Sequence, residues 1–193
     1  MSRPRRRVLP RLYLDSCIFI EVIKGVTQAG GDHEDKFDAC LNLLRDFEKG
    51  SCSLVMSELV YTETFHRGEA KLTDKRRSRH ATGATLQRAS DLINGWFQRS
   101  EIIRVEVHQE IAEEARKLAL RYRLDSHDAV HLVTAQDEGC KAFITLDNDL
   151  IERVANVDLG LRVELPSSDW DGQTSLVIPN QQGLRIIAGE GSS

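Results

Sequence analysis

Short apolar segments of strand length alternate with segments of helical periodicity between residues 11 and 165, and no other feature limits the fold so strongly. The strand-like segments are residues 11–14, 53–56, 103–107, 142–146 and 161–165, and the helical segments include 35–49, 58–65, 109–122, 126–139 and 150–154. Strands that alternate with helices are typical of a parallel sheet covered by helices on both faces. We therefore predict an α/β fold with three layers, α/β/α, around a central parallel sheet.

The rest of the chain differs from this alternation in composition. Residues 1–10 are a basic N-terminal arm, and residues 67–99 are a basic excursion, which we predict to be a loop over 67–83 followed by a helix near 84–98. The pattern weakens from residue 166 to residue 193, which predicts a C-terminal tail or an edge hairpin. Residues 11–165 are then expected to form one domain with its own core.

Charge is unevenly distributed along the chain. The 193 residues include 26 Lys and Arg against 30 Asp and Glu, which gives a net charge of -4. Five arginines and no acidic residue lie in residues 1–11, and eight basic against three acidic residues lie in 67–99, so the remainder is strongly acidic. An acidic domain with basic segments beside it can still bind nucleic acid through those segments.

Membrane and redox functions have little support in the sequence. No apolar run approaches the roughly 20 residues that cross a bilayer, which excludes a membrane-spanning protein. Pro10, Arg11 and Asp15 interrupt the apolar stretch that follows the basic arm, so a signal-peptide core is absent and a cytoplasmic location is expected. The four cysteines have no C-x-x-C spacing and are predicted to be reduced and mostly buried.

Acidic residues follow the apolar strands directly. Asp15 comes after residues 12–14 and Asp147 after residues 143–146, while Glu63 and Asp128 lie within about two turns of predicted helix N-termini. The functional crevice of an open parallel sheet lies at the carboxyl ends of its strands. We therefore expect these four carboxylates to converge there from distant parts of the chain.

Converging carboxylates repel one another at neutral pH unless they are protonated or neutralised by a cation. Oxygen ligands select Mg²⁺ or Mn²⁺, which bind through a few carboxylates together with waters and substrate phosphate. Such an ion can activate the attacking water and stabilise the charge that develops during phosphodiester hydrolysis. The acidic pattern therefore predicts a metal-dependent nuclease.

Four pieces of the sequence carry this chemistry: Leu12–Ser16, Ser57 with Glu63, Asp128–Leu132 and Thr145–Leu150. Their order and spacing resemble the motifs of the PIN-domain ribonucleases, a family that includes the VapC-type toxins. The resemblance covers residues 11 to about 165 and implies a PIN-like fold and a Mg²⁺- or Mn²⁺-dependent endoribonuclease that acts on RNA. For a toxin it also implies an antitoxin protein and a second copy of the chain, in a homodimer, as partners.

The resemblance implies roles for particular residues. The catalytic carboxylates would be Asp15, Glu63, Asp128 and Asp147. The metal ligands would be Asp15, Asp128, Asp147 and Asp149, the last of these as an auxiliary acid. Ser16 and Thr145 would be hydroxyls that orient these acids. With RNA as the implied substrate, the charge of the basic excursion predicts contacts with its phosphates from Arg67, Lys71, Lys75, Arg76, Arg77 and Arg79.

Other interpretations of these residues are weaker. His127 and His131 are four residues apart and could bind a transition metal, but packing or capping is predicted because no third nitrogen or sulfur ligand is identifiable. Cys17 stands where an aspartyl-phosphate phosphatase needs a second acid, which argues against a covalent phosphoenzyme. A non-catalytic RNA-binding or protein-interaction module with the same fold is the alternative function, although such a module has no need of four converging acids.

Overall fold

The computed structural model of the chain describes residues 9–27, 34–73, 87, 91 and 94–167. Its strands are β1 (Arg11–Leu14), β2 (Ser53–Ser57), β3 (Ile103–Val105), β4 (Ala142–Ile144) and β5 (Arg162–Glu164). Its longer helices are α1 (Ser16–Thr27), α2 (Glu34–Glu48), α3 (Glu58–Thr73), α4 (Gln109–Tyr122), α5 (Ser126–Asp137) and α6 (Asn148–Val154). Residues 94–97 form a further helical turn.

All the strands pair in parallel, in the order β3-β2-β1-β4-β5. β1 is central, and Leu12 lies opposite Leu54 of β2 on one side and Ala142 of β4 on the other. The chain moves outward from β1 to β2 and β3, and then returns to place β4 on the opposite side of β1. This reversal of direction creates a crevice between the carboxyl ends of β1 and β4.

The direction of the crossovers decides on which face each helix lies. Connections between parallel strands are right-handed, so the two crossovers that run from β1 to β3 put α1, α2 and α3 on one face. The crossovers from β3 to β4 and from β4 to β5 run in the opposite direction across the sheet and put α4, α5 and α6 on the other face. α1 accordingly packs against α2 and α3, and α4 packs against α5. The prediction of a three-layer α/β/α fold with a parallel sheet is confirmed.

The core sits around β1, whose Leu12, Tyr13 and Leu14 are fully buried. The ring of Tyr13 is stacked on Phe143 of β4, with centroids 5.4 Å apart, and faces His131 of α5. A strand covered on both faces is apolar throughout, which explains the unbroken apolar segments of the sequence. β1 ends at the crevice, where the backbone N–H of Asp15 donates to Ile144 O at 3.0 Å.

One prediction about the basic excursion is wrong. The loop expected from residue 67 begins later, because α3 continues to Thr73. Residues 67–73 are polar and show no apolar period, yet they include Arg, Glu, Ala, Lys and Leu, which are strong helix formers. A helical segment made of polar residues has no apolar period, so periodicity could not detect it.

Several other predictions lie outside the described residues. These are the structures predicted for the basic arm up to residue 8, for most of 74–93 and for the chain after residue 167. Within the described ranges, no helix is long and apolar enough to cross a membrane. All four cysteines are free, and Cys40, Cys52 and Cys140 are buried, as predicted.

Candidate metal centre

Four structural elements bring the acidic residues to the crevice. Asp15 is the residue between β1 and α1, and Glu63 lies on the second turn of α3. Asp128 lies in the first turn of α5, and Asp147 is the N-cap of α6, where its Oδ1 accepts from the N–H of Leu150 at 3.0 Å. Asp15 and Glu63 are each only 8% exposed, whereas Asp147 is exposed. The crevice therefore has two buried carboxylates at its base and one at its rim.

Hydroxyl and thiol groups hold the carboxylate of Asp15 in place. Its Oδ2 accepts from Thr145 Oγ1 at 2.7 Å and from Cys17 Sγ at 3.0 Å, and its Oδ1 lies 3.3 Å from Ser16 Oγ. Thr145 Oγ1 also accepts from the backbone N–H of Asp147 at 3.0 Å. One threonine hydroxyl therefore couples the acid after β1 to the acid after β4.

Three polar side chains surround the carboxylate of Glu63. Its Oε2 accepts from Ser16 Oγ at 2.7 Å and lies 3.2 Å from His131 Nε2, while its Oε1 lies 2.8 Å from His127 Nδ1. Behind it, His131 Nδ1 lies 2.8 Å from the hydroxyl of Tyr13. Ser16 reaches both buried acids, so the positions of Asp15 and Glu63 depend on each other.

Electrostatic repulsion links Asp128 to the other acids. Burial raises the pKa of Asp128 from 3.8 to about 6, and the negative charges of Asp15, Asp125 and Asp147 contribute to this rise, against a lowering by His131. Asp125 is the N-cap of α5, so its charge also lies beside the crevice. The raised pKa means that the charged form of Asp128 is unfavourable in this environment, a condition that a bound cation would relieve.

The donor atoms at the base of the crevice fit a metal ion. Asp15, Glu63 and His131 each offer one atom, and these three atoms lie within 4.8 Å of one another. Two carboxylates suit a hard divalent cation that also keeps several waters. Asp128 and Asp147, whose charges act on the same cluster, would complete an acidic site around it.

Not all the predicted site residues are found at this base. Asp149 is exposed in the first turn of α6. Arg67 and Lys71 lie on α3, but the structure describes only their backbone, while Lys75, Arg76, Arg77 and Arg79 lie outside the described residues. The predicted RNA contacts of the basic excursion therefore remain predictions.

Sequence reasoning missed the contacts made by the histidines. His131 is buried, as a packed residue would be, but both His127 and His131 also contact Glu63. The available signal was their spacing, because residues four apart share one face of a helix. Tyr13 and Cys17 were also missed, since each looks like an ordinary apolar residue in a buried segment.

Comparison with known proteins gives one family and several similar folds. The PIN domain family model matches residues 12–157. A similar solved structure is VapC20 from Mycobacterium tuberculosis, a sarcin-ricin loop cleaving toxin, which is 16% identical with a TM-score of 0.50 over 78% of this chain and 98% of that one. Another is VapBC2 from Rickettsia felis bound to a DNA fragment from their promoter, which is 15% identical with a TM-score of 0.50 over 80% of this chain and 98% of that one. No curated protein sequence matches this chain.

Proposed function

Because the chain belongs to the PIN-domain family, a family of nucleases, we propose that it is an endoribonuclease that hydrolyses RNA phosphodiester bonds with Mg²⁺ or Mn²⁺. The observation that carries this proposal is the convergence of Asp15, Glu63, Asp128 and Asp147 at the crevice between β1 and β4. The first two are buried, and the pKa of Asp128 is raised to about 6 by burial and by its acidic neighbours. An acidic cluster under such repulsion is suited to bind a cation.

Each residue of the cluster would have its own task. Asp15, Asp128 and Asp147 would hold the ion, and Glu63 would complete the site or orient the attacking water. Mg²⁺ or Mn²⁺ bound there would lower the pKa of that water and stabilise the negative charge of the phosphate. Thr145 and Ser16 would keep the acids in place through their hydrogen bonds to Asp15 and Glu63. Asp149, at the exposed start of α6, would act as an auxiliary acid at the entrance.

The RNA would need positive charge outside the acidic crevice. We assign this role to the basic excursion, with Arg67, Lys71, Lys75, Arg76, Arg77 and Arg79. α3 connects this segment to the site, because Glu63 and Arg67 are one turn apart on that helix. Contacts with phosphates are independent of sequence and weaken as salt rises.

A cleavage assay with matched variants tests the nuclease proposal. Purified protein is incubated with a labelled single-stranded RNA in Mg²⁺, in Mn²⁺ and in EDTA, beside an Asp15→Asn, Asp128→Asn double variant. The control is Asp137→Asn, which changes the same residue type on α5, about 13 Å along the helix axis from Asp128. We expect metal-dependent cleavage by the wild type and by the control, and none by the double variant. Retained RNA binding without cleavage of varied RNAs would instead favour the non-catalytic module.

A role as the toxin of a toxin–antitoxin pair is a further part of the proposal. It is suggested by the VapC20 and VapBC2 structures, whose folds are similar to this one. An antitoxin protein and a second copy of the chain would then be its partners. Induced expression should arrest growth, and the Asp15→Asn, Asp128→Asn variant should not. Normal growth alongside an active purified enzyme would rule out the toxin role and leave the nuclease intact.

A further inference from the structure

The candidate metal centre contains a nitrogen donor as well as oxygen donors. His131 is 1% exposed, and its Nε2 lies 3.2 Å from Glu63 Oε2. Adjacent ligands of an octahedral ion with bonds of about 2.1 Å are about 3 Å apart, and opposite ligands about 4.2 Å apart. The observed separation is close to that of neighbouring ligands on one ion, and a carboxylate oxygen of Asp15 lies within 4.8 Å of both atoms.

Tyr13 allows this imidazole to bind a cation through Nε2. The tyrosine oxygen lies 2.8 Å from His131 Nδ1 and 2.8 Å from Ser57 Oγ, and it accepts from the backbone N–H of Ser57 at 3.1 Å. When the tyrosine proton points to Ser57 Oγ, its oxygen can accept from an N–H at Nδ1, which leaves a lone pair on Nε2. That lone pair and the Glu63 carboxylate, 3.2 Å apart, repel unless a positive ion lies between them.

The same network also suits the protein without an ion. When Tyr13 instead donates to Nδ1, the N–H is at Nε2 and donates to Glu63. A metal-ligating histidine typically donates the N–H of its second nitrogen to a partner, which sets the ring orientation, and this matches the first arrangement, with the N–H at Nδ1. The buried hydroxyl of Tyr13 can therefore pair with Nδ1 in either tautomer, as an acceptor in one and as a donor in the other.

His127 has a different position from His131. Its side chain is 53% exposed, and its Nδ1 lies 2.8 Å from the other oxygen of Glu63, Oε1. It is therefore placed to orient Glu63 from the solvent side. Of the two imidazoles, that of His131 is the buried one, and it lies beside the carboxylates of Asp15 and Glu63.

We propose that His131 Nε2 is a direct metal ligand, so that the site selects Mn²⁺, or another first-row transition ion, over Mg²⁺. This inference rests on the proposed metal centre and adds a nitrogen ligand and a cation preference to it. Imidazole suits transition ions, whereas Mg²⁺ prefers oxygen ligands. We expect Mn²⁺ to bind at least about tenfold more tightly than Mg²⁺, and His131→Gln to reduce Mn²⁺ affinity by about tenfold or more.

Pulsed electron paramagnetic resonance of the Mn²⁺-loaded protein shows directly whether a nitrogen atom is bound to the ion. Electron spin echo modulation detects a nitrogen bonded to Mn²⁺, and calorimetry with Mn²⁺ alone and Mg²⁺ alone gives the two affinities. The nitrogen signal should be present in the wild type, in His127→Gln and in His108→Gln, and absent in His131→Gln. His108 is the exposed N-cap of α4 and is the control for replacing a histidine.

The outcomes separate this inference from the proposed function. Mn²⁺ binding without a nitrogen signal would overturn the His131 ligand and leave a carboxylate site. Loss of the signal in His127→Gln would make His127 the ligand instead. No Mn²⁺ binding at all would contradict the proposed function as well. Should His131→Gln fail to fold, the wild-type and His127→Gln spectra still decide, because these are the two histidines at the carboxylates in the part of the chain described.

Discussion

Replacing Asp128 with asparagine should stabilise the protein when no metal is bound. The carboxylate of Asp128 is partly buried and lies in the field of Asp15, Asp125 and Asp147, which together raise its pKa to about 6. Asn has nearly the same shape but no charge, so it removes the repulsion and keeps the packing of the first turn of α5. The charge of Asp128 would thus lower the stability of the metal-free protein while allowing the site to bind a cation.

The size of this effect follows from the shift in pKa. A change from 3.8 to about 6 is roughly two units, and each unit is about 1.4 kcal/mol, which gives an upper limit of about 3 kcal/mol. Asp128 keeps contact with solvent, which screens part of the repulsion, so we expect Asp128→Asn to raise the free energy of unfolding by about 1–2 kcal/mol at pH 8.

The pH dependence has a definite sign. The pKa of Asp128 is higher in the folded protein than in the unfolded chain, so the folded state binds more protons between about pH 4 and pH 6. The destabilisation by the charged carboxylate is therefore absent below this window and complete above it. The advantage of Asp128→Asn over the wild type should be present at pH 8 and should vanish near pH 4.

Urea denaturation in EDTA at both pH values measures this difference. The Asp137→Asn variant, at the far end of α5, is the control for removing a charge from the same helix. A variant no more stable than the wild type at pH 8, or an advantage that does not change with pH, would refute the electrostatic reasoning. With Mn²⁺ at about 100 times its Kd, the order should reverse, because binding adds about 2.7 kcal/mol to the wild type alone.

Three further predictions concern the surroundings of the site. Thr145→Val should lower Mn²⁺ affinity by about 10–100-fold in calorimetry because Asp15 loses its shortest hydrogen bond, while Thr145→Ser should retain it. Tyr13→Phe should cost about 1–3 kcal/mol in urea denaturation, since buried polar atoms of Ser57 and His131 lose their shortest hydrogen bonds. Replacing Arg76, Arg77 and Arg79 with alanine should reduce the salt dependence of RNA binding by about one unit of log–log slope for each RNA phosphate that these arginines neutralise.

The fold was predictable because burial leaves a strong signal in the sequence. β1 and β4 are covered on both faces, so their segments are continuously apolar, and α4 was predicted at its observed bounds, Gln109–Tyr122. The end of α3 was not predictable in this way. Its last residues are polar, and a polar helix differs from a polar loop only in backbone conformation, which leaves no periodic trace.

The acidic half of the site could be located for the same reason. A carboxylate directly after a buried strand must lie at the carboxyl end of the sheet, so Asp15 and Asp147 could be assigned to the crevice from the strand ends alone. The histidines could not be assigned, because an i, i+4 pair on a helix has the same spacing whether it packs or binds. Their partner, Glu63, is 68 residues from His131 in the chain, and only the fold brings the two side chains together.

The positions of the acids also explain why the chain tolerates their repulsion. Asp147 caps α6 and Asp125 caps α5, and Asp128 lies in the first turn of α5, so all three are near helix N-termini, where the helix dipole favours negative charge. This compensation is incomplete, because the pKa of Asp128 still rises to about 6. The remaining unfavourable charge is available to a cation, which below about pH 6 would have to displace the proton from the same carboxylate. At the proposed metal centre, proton and metal would therefore compete at Asp128 at acidic pH, and the repulsion that weakens the free protein would supply part of the affinity for metal.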